Sequence, residues 1–125
     1  MIRLMATCAF LLISSSAFAE SAEELLSACR PVTKAPVSGD SVQFEQTYDT
    51  GFCWGAFSAV QKSIILVDNR KQPLYGVCPP PTSTRTQTIA IFIQYAETHP
   101  QRLHEHYLFV VVDALREAFP CPKNS

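Results

Sequence analysis

Four cysteines, Cys29, Cys53, Cys78 and Cys121, are spread along the chain behind an apolar N-terminus led by Arg3, and how they pair constrains the fold more than any other feature. The N-terminus decides their chemistry. Arg3 precedes an apolar stretch over residues 4–13, then Ser14, Ser15 and Ser16, then Ala17, Phe18 and Ala19. A short apolar core behind a basic residue and ahead of an Ala-x-Ala end is the pattern of a secretory signal, here cut after Ala19. The stretch is about half of the roughly 20 residues a spanning helix needs, so residues 1–19 are expected to be removed rather than kept as an anchor. Cys8 lies inside that core behind Met5, Ala6 and Thr7, a poor lipoprotein cleavage site, and is expected to leave with it.

Residues 20–125 are then an exported domain, most simply in a bacterial periplasm, with no further segment apolar for long enough to span a membrane. An even number of cysteines in an oxidising compartment reads as two disulfides, each worth about 3–4 kcal/mol for loops of this length. A chain of 125 residues has a core small enough to need them. Spacing alone leaves all three connectivities open. No CxxC occurs, which argues against a zinc or thioredoxin-type site. A cysteine nucleophile would need a thiol kept reduced beside a base such as His99, His104 or His106.

Charge and glycine content exclude other functions. Ten Lys and Arg stand against 11 Asp and Glu, and the basic residues never cluster beyond Arg70-Lys71, so no footprint for nucleic acid exists. Only 4 Gly are present, without GxGxxG or a Walker loop to cradle phosphate. No cofactor is implied.

Periodicity predicts helices. Ser21 and Glu24 form a capping box ahead of Ala22, Leu25, Leu26 and Cys29, and this helix should end near Arg30-Pro31. Residues 31–47 read as a surface loop. Residues 48–67 put Cys53, Phe57, Val60, Ile64 and Val67 on one stripe, and Gly51, Gly55 and Ala59 on another, where a second backbone is expected to pack closely. Trp54 is either a half-buried core residue or a partner-binding anchor. Residues 68–81 read as a second irregular stretch, carrying Tyr75 and the stiff Pro79-Pro80-Pro81.

Thr84 and Gln87 repeat the capping-box pattern before a segment of conflicting periods. Ile89, Ile91, Ile93 and Tyr95 alternate as in a strand, whereas Ile89, Phe92, Ile93 and Ala96 fit a helix. A lone strand has no partner in this chain, so helix is the expectation. A last helix should start at Pro100 and run to about Phe119, with Leu103, Tyr107, Val110, Val111, Ala114, Leu115 and Ala118 on its apolar face. The fold expected is an all-α, small four-helix domain with two long loops, stapled by two disulfides.

Catalytic equipment is missing from the pattern. On a helix His104 and His106 would point in opposite directions, unlike the i, i+4 pair of a zinc protease, so no metal is expected there. No GxSxG occurs, and Glu23-Glu24 suit a first helical turn rather than acid-base work.

The order of motifs resembles the immunity proteins of type VI secretion amidase effectors. The resemblance runs through Leu26-x-x-Cys29, Cys53-x-Gly55, Cys78-x-Pro80 with Gln87, Tyr95-Ala96-x-x-His99-Pro100 and Ala114-Leu115-x-x-Ala118-Phe119-Pro120-Cys121. It implies an all-helical periplasmic protein, often a homodimer, that sterically blocks a peptidoglycan amidase and has no catalysis of its own. A stand-alone envelope protein on the same scaffold, with a binding or stabilising role and no toxin partner, is the alternative. Within the implied up-down bundle, the end of the first helix meets the start of the second and the end of the last meets the start of the third. The pairing expected there is Cys29 with Cys53 and Cys78 with Cys121. Trp54 and Tyr75 are the candidate partner anchors, the first on its helix and the second in residues 68–82.

Overall fold

The computed structural model describes residues 20–38 and 41–123, and the expected signal segment lies outside them. Four helices form the domain: α1 (Ala22–Thr33), α2 (Tyr48–Ile64), α3 (Arg85–Thr98) and α4 (Tyr107–Ala118). α1 packs on both α2 and α3, and α4 closes the other side against α3 and α1. This central place explains why Ala22, Leu25, Leu26, Ala28, Cys29 and Val32 are all buried in a helix of only 12 residues. Phe57 of α2 meets Phe92 of α3 at 5.7 Å between ring centroids, both fully buried. Each such ring contributes about 2–3 kcal/mol by leaving water.

The helix starts follow their sequence signals. Ser21 Oγ accepts from the Glu24 amide and Glu24 returns the bond to the Ser21 amide at 2.8 Å. Thr84 and Gln87 repeat the exchange before α3. α2 has a box of its own, in which Thr47 and Thr50 play both parts, and Thr50 Oγ1 also donates to the Glu45 carbonyl at 2.6 Å.

Several expected boundaries move. α1 runs through Pro31 to Thr33. The bond that Pro31 forfeits is the one to the carbonyl of Ser27, an exposed position where water can replace it, while fully buried Val32 holds the last turn down. Within the first loop, β1 (Val37–Ser38) and β2 (Ser41–Val42) pair antiparallel, Val37 opposite Val42. α2 stops at Ile64, and Val67 is 53% exposed rather than buried. Ile89, Phe92 and Ala96 are buried while Ile91 and Ile93 are half-buried, so the helical period prevails over the alternating one in α3.

The largest correction concerns residues 100–106. Pro100 opens a single 3-10 turn, Pro100–Arg102, and α4 begins only at Tyr107. The intervening backbone is drawn to the start of α1: the amides of Ala22 and Glu23 donate to the carbonyls of Glu105 and Leu103, and the Tyr107 amide donates to that of Glu20. Two of the amides that α1 cannot satisfy internally are thereby paired. On α4 itself Val112 is buried and Ala118 exposed, the reverse of the expected face at both positions, and Tyr107 is half-buried, as is Leu103 before the helix.

Cys29 is bonded to Cys53 and Cys78 to Cys121. The first bridge is fully buried between α1 and α2, and the second ties the strap before α3 to the chain beyond α4.

Candidate partner-binding surface

Residues 65–74 form an arm beyond α2. Val67 pairs with Pro73 in an isolated antiparallel bridge, the Leu74 amide donates to the Leu66 carbonyl at 2.9 Å, and the Asp68 amide to that of Gln72 at 2.9 Å. Asp68 holds the tip from inside, its Oδ1 accepting from the amides of Arg70 and Gln72. That tip puts Lys71 at φ 58°, the left-handed region that costs a residue with a Cβ about 1 kcal/mol. The arm is thus ordered by its own hydrogen bonds while Ile65, Leu66, Val67 and Leu74 stay 52–72% exposed.

Its base is tied to α4. Arg116 Nε donates to the Tyr75 carbonyl at 3.1 Å. Gly76 follows at φ +66°, a left-handed conformation that favours glycine, and a Cβ there would be in ordinary contact, 3.4 Å, with the same guanidinium. Val77 is buried and bridges to Pro120, and the Cys78 amide donates to the Phe119 carbonyl beside the second disulfide.

Against this base α4 presents Leu108 and Phe109, the latter 65% exposed. With Tyr75, Val112, Asp113 and Arg116 they line a hollow of about 310 Å³. Apolar walls with one cation and one anion at the edge make a surface suited to a protein partner. The charged edge is fixed from behind. Arg102 makes two bonds to Glu105, at 2.8 and 3.0 Å, one to Asp113 at 2.8 Å and one to the Tyr95 hydroxyl, while Asp113 also takes Arg116 at 2.9 Å. These bonds to Glu105 and Asp113 raise the Arg102 pKa further, and the bond from Arg102 holds the Glu105 carboxyl below its usual range. Burial, with the Glu20 charge second, pushes the Tyr107 hydroxyl up.

Tyr75 therefore belongs to this surface. Trp54 has different neighbours: its ring is half-buried, lies 5.3 Å from Phe44 and carries the Arg85 guanidinium 4.5 Å above it, with Arg85 held in turn by Gln61. Those contacts clasp the first loop and α3 to α2. Leu74, Leu108 and Phe109 were not among the residues singled out from sequence, although a signal exists. Residues 107–112 are six consecutive apolar side chains, more than one helix face can bury, so some must face outward.

The histidines are placed separately. His99 ends α3, stacked on Tyr95 at 4.0 Å, with Nδ1 2.8 Å from the Tyr95 carbonyl. His106 caps α4 by accepting from the Leu108 amide, and His104 is exposed in the turn before it, so the His104-Glu105-His106 segment is not helical as expected. Among the described residues no group of three or more His, Cys, Asp or Glu could hold a metal ion, and no helix is long and apolar enough to cross a membrane.

A family profile described as Rap1a immunity proteins matches residues 21–121. The chain belongs to the Rap1a immunity protein family. The matched span holds all four helices, both disulfides and the whole arm, so the family resemblance covers the fold rather than a fragment of it. No curated protein and no solved structure matches the chain.

Proposed function

We propose that this Rap1a family protein is exported, loses residues 1–19, and in the periplasm binds and sterically blocks a peptidoglycan amidase effector of a type VI secretion system. The observation that carries this reading is the family match over residues 21–121. Two disulfides support an oxidising compartment. The arm and the α4 hollow support a mechanism by binding alone: an ordered apolar surface covers the substrate groove and performs no chemistry. Because the arm is already folded, little entropy is lost when it docks. Tyr75, Leu108 and Phe109 are the anchors, and the rest of the face excludes water around them.

The test is inhibition of each peptidoglycan amidase effector of the same strain by the exported protein. The expected result is loss of hydrolysis at a one-to-one ratio, with no consumption of the inhibitor. A stable complex with none of them would sink the reading and favour the stand-alone envelope role.

A further inference from the structure

The stripe of Gly51, Gly55 and Ala59 on α2 receives no neighbouring backbone of this chain as its spacing suggested, since a Cβ at Gly51 or Gly55 would meet nothing within 4 Å. His106 has the opposite character, because several elements hold it. Its backbone forms an antiparallel bridge with Ser21 at the start of α1. Its half-buried ring stacks on Tyr107 at 4.8 Å between centroids and stands edge-on to Phe109 at 6.1 Å. Nδ1 accepts from the Leu108 amide at 3.2 Å, and the His106 carbonyl accepts from the Phe109 amide, also at 3.2 Å. The first turn of α4 thus hangs on this one residue, and that turn carries the anchors Leu108 and Phe109.

The cap needs the neutral ring. A backbone amide can only donate, so Nδ1 holds a lone pair and the ring proton sits on Nε2. An imidazolium carries N–H groups at both positions and accepts nothing. Protonation therefore takes the acceptor away from the Leu108 amide and sets a cation at the positive end of α4. The usual caps, asparagine, aspartate, serine and threonine, do not change charge between about pH 5 and 8, where imidazole does. Charged groups on the surrounding elements are Glu20 and Glu24 on either side of the Ser21 bridge and Asp49 on α2, whose Phe52 packs edge-on to Tyr107. In the turn before α4 they are His104 and the paired Arg102 and Glu105. Of these residue types only histidine ordinarily titrates in that window, which makes His104 the control.

We propose that His106 is the positioning residue of the partner surface and makes that surface pH-dependent: the neutral imidazole caps α4 and sets Leu108 and Phe109 in place, and the imidazolium releases them. The sign follows from linkage. The form that presents the anchors holds one proton fewer, so affinity for a partner falls as pH falls through the titration of His106. A side-chain cap is worth about a factor of five in the order of the turn it closes, which sets the size of the effect. The consequence for an effector rests on the binding role proposed above, whereas the cap itself does not.

Magnetic resonance of the exported, disulfide-bonded protein alone is the first test. Between about pH 8 and pH 5 the imidazole nitrogen shifts of His106 should show a bare Nδ1 that gains a proton, and the Leu108 amide should move with the same midpoint. Exchange of the Leu108 and Phe109 amides, corrected for the intrinsic rate, should quicken about three- to tenfold over that range while that of Leu115 holds. His106→Asn caps without titrating and should keep both amides protected throughout, whereas His106→Ala should leave both fast throughout. His104→Gln should behave as the unaltered protein. Calorimetric titration against an amidase effector that the protein inhibits should show affinity about three- to tenfold lower near pH 5.5 than near pH 7.5, with the difference absent in His106→Asn. A proton on Nδ1 at about pH 8, a pH response that survives His106→Asn, or one that disappears with His104→Gln overturns the proposal. The spectra decide the cap whether or not any amidase is inhibited, and a cap that titrates without changing the affinity for an inhibited amidase overturns the role of His106 at the surface.

Discussion

The two disulfides should rank in stability against their loop lengths. Chain entropy alone favours the longer closure: a separation of 43 residues for Cys78–Cys121 gives about 4 kcal/mol, and 24 residues for Cys29–Cys53 about 3.4 kcal/mol. Burial reverses the order. Cys29 and Cys53 are fully buried between α1 and α2, so replacing both by alanine also removes two close-packed sulfur atoms, at about 1 kcal/mol each. Cys78 and Cys121 are partly exposed, and serines there are met by solvent. The loops do not overlap, so the two losses are independent. Cys29→Ala with Cys53→Ala should therefore cost about 5 kcal/mol and Cys78→Ser with Cys121→Ser about 4 kcal/mol, against a total of roughly 5–15 kcal/mol for a domain. Urea unfolding of both variants under non-reducing conditions, with the slope compared as well as the midpoint, measures this. A larger loss for the Cys78–Cys121 variant would refute the reasoning and leave loop length as the governing term.

Three further outcomes follow from the same geometry. Phe109→Asp places a carboxylate at the centre of the exposed hollow and should weaken effector binding by about 2 kcal/mol or more, roughly thirtyfold, with the melting temperature unchanged; calorimetric titration reads the first and a thermal scan the second. Glu105 has a folded pKa below its unfolded value because Arg102 holds the carboxylate, so its contribution is present above the unfolded carboxylate range and is lost as pH falls through the folded value. Glu105→Gln should flatten the decline of stability below about pH 4.5, and an unchanged acid limb in urea titrations would remove Glu105 from the account. Lys71→Gly relieves the left-handed strain at the arm tip and should stabilise the arm by up to about 1 kcal/mol, seen as slower amide exchange at Asp68 and Gln72, unless Lys71 also contacts the effector, in which case binding weakens as protection rises.

Local chemistry made much of this fold legible. Ser21 with Glu24 and Thr84 with Gln87 announce their helices, and the stripe from Cys53 to Ile64 is buried as its spacing requires. The Thr47–Thr50 box gives no such signal in sequence because threonine replaces the usual Glu or Gln at its third position. Residues 100–106 failed for a different reason. Their helical pattern is real, but the amides opening α1 lie across the domain and take those carbonyls first, a competition no local window contains.

The candidate surfaces show the same division more sharply. Tyr75 could be singled out because an aromatic residue in an irregular stretch has no helix face to explain it, yet its neighbours Leu108 and Phe109 sit in a run that reads as core. What turns them outward is their place on α4, whose buried face is taken by Val110, Val111, Ala114 and Leu115, and what brings Tyr75 beside them is the base of the arm. Arg116 binds the Tyr75 carbonyl and Gly76 supplies the left-handed turn that follows, which fixes the base of the arm beside α4 and joins two distant segments in one apolar surface. Trp54 sits in other surroundings: its half-buried ring is packed by Phe44 and Arg85, contacts that join the first loop and α3 to α2. Which aromatics lie together at the surface thus depends on where the irregular segments run, and long-range pairs hold those segments: Cys78 with Cys121 at the base of the arm, and Trp54 with Phe44 at the first loop.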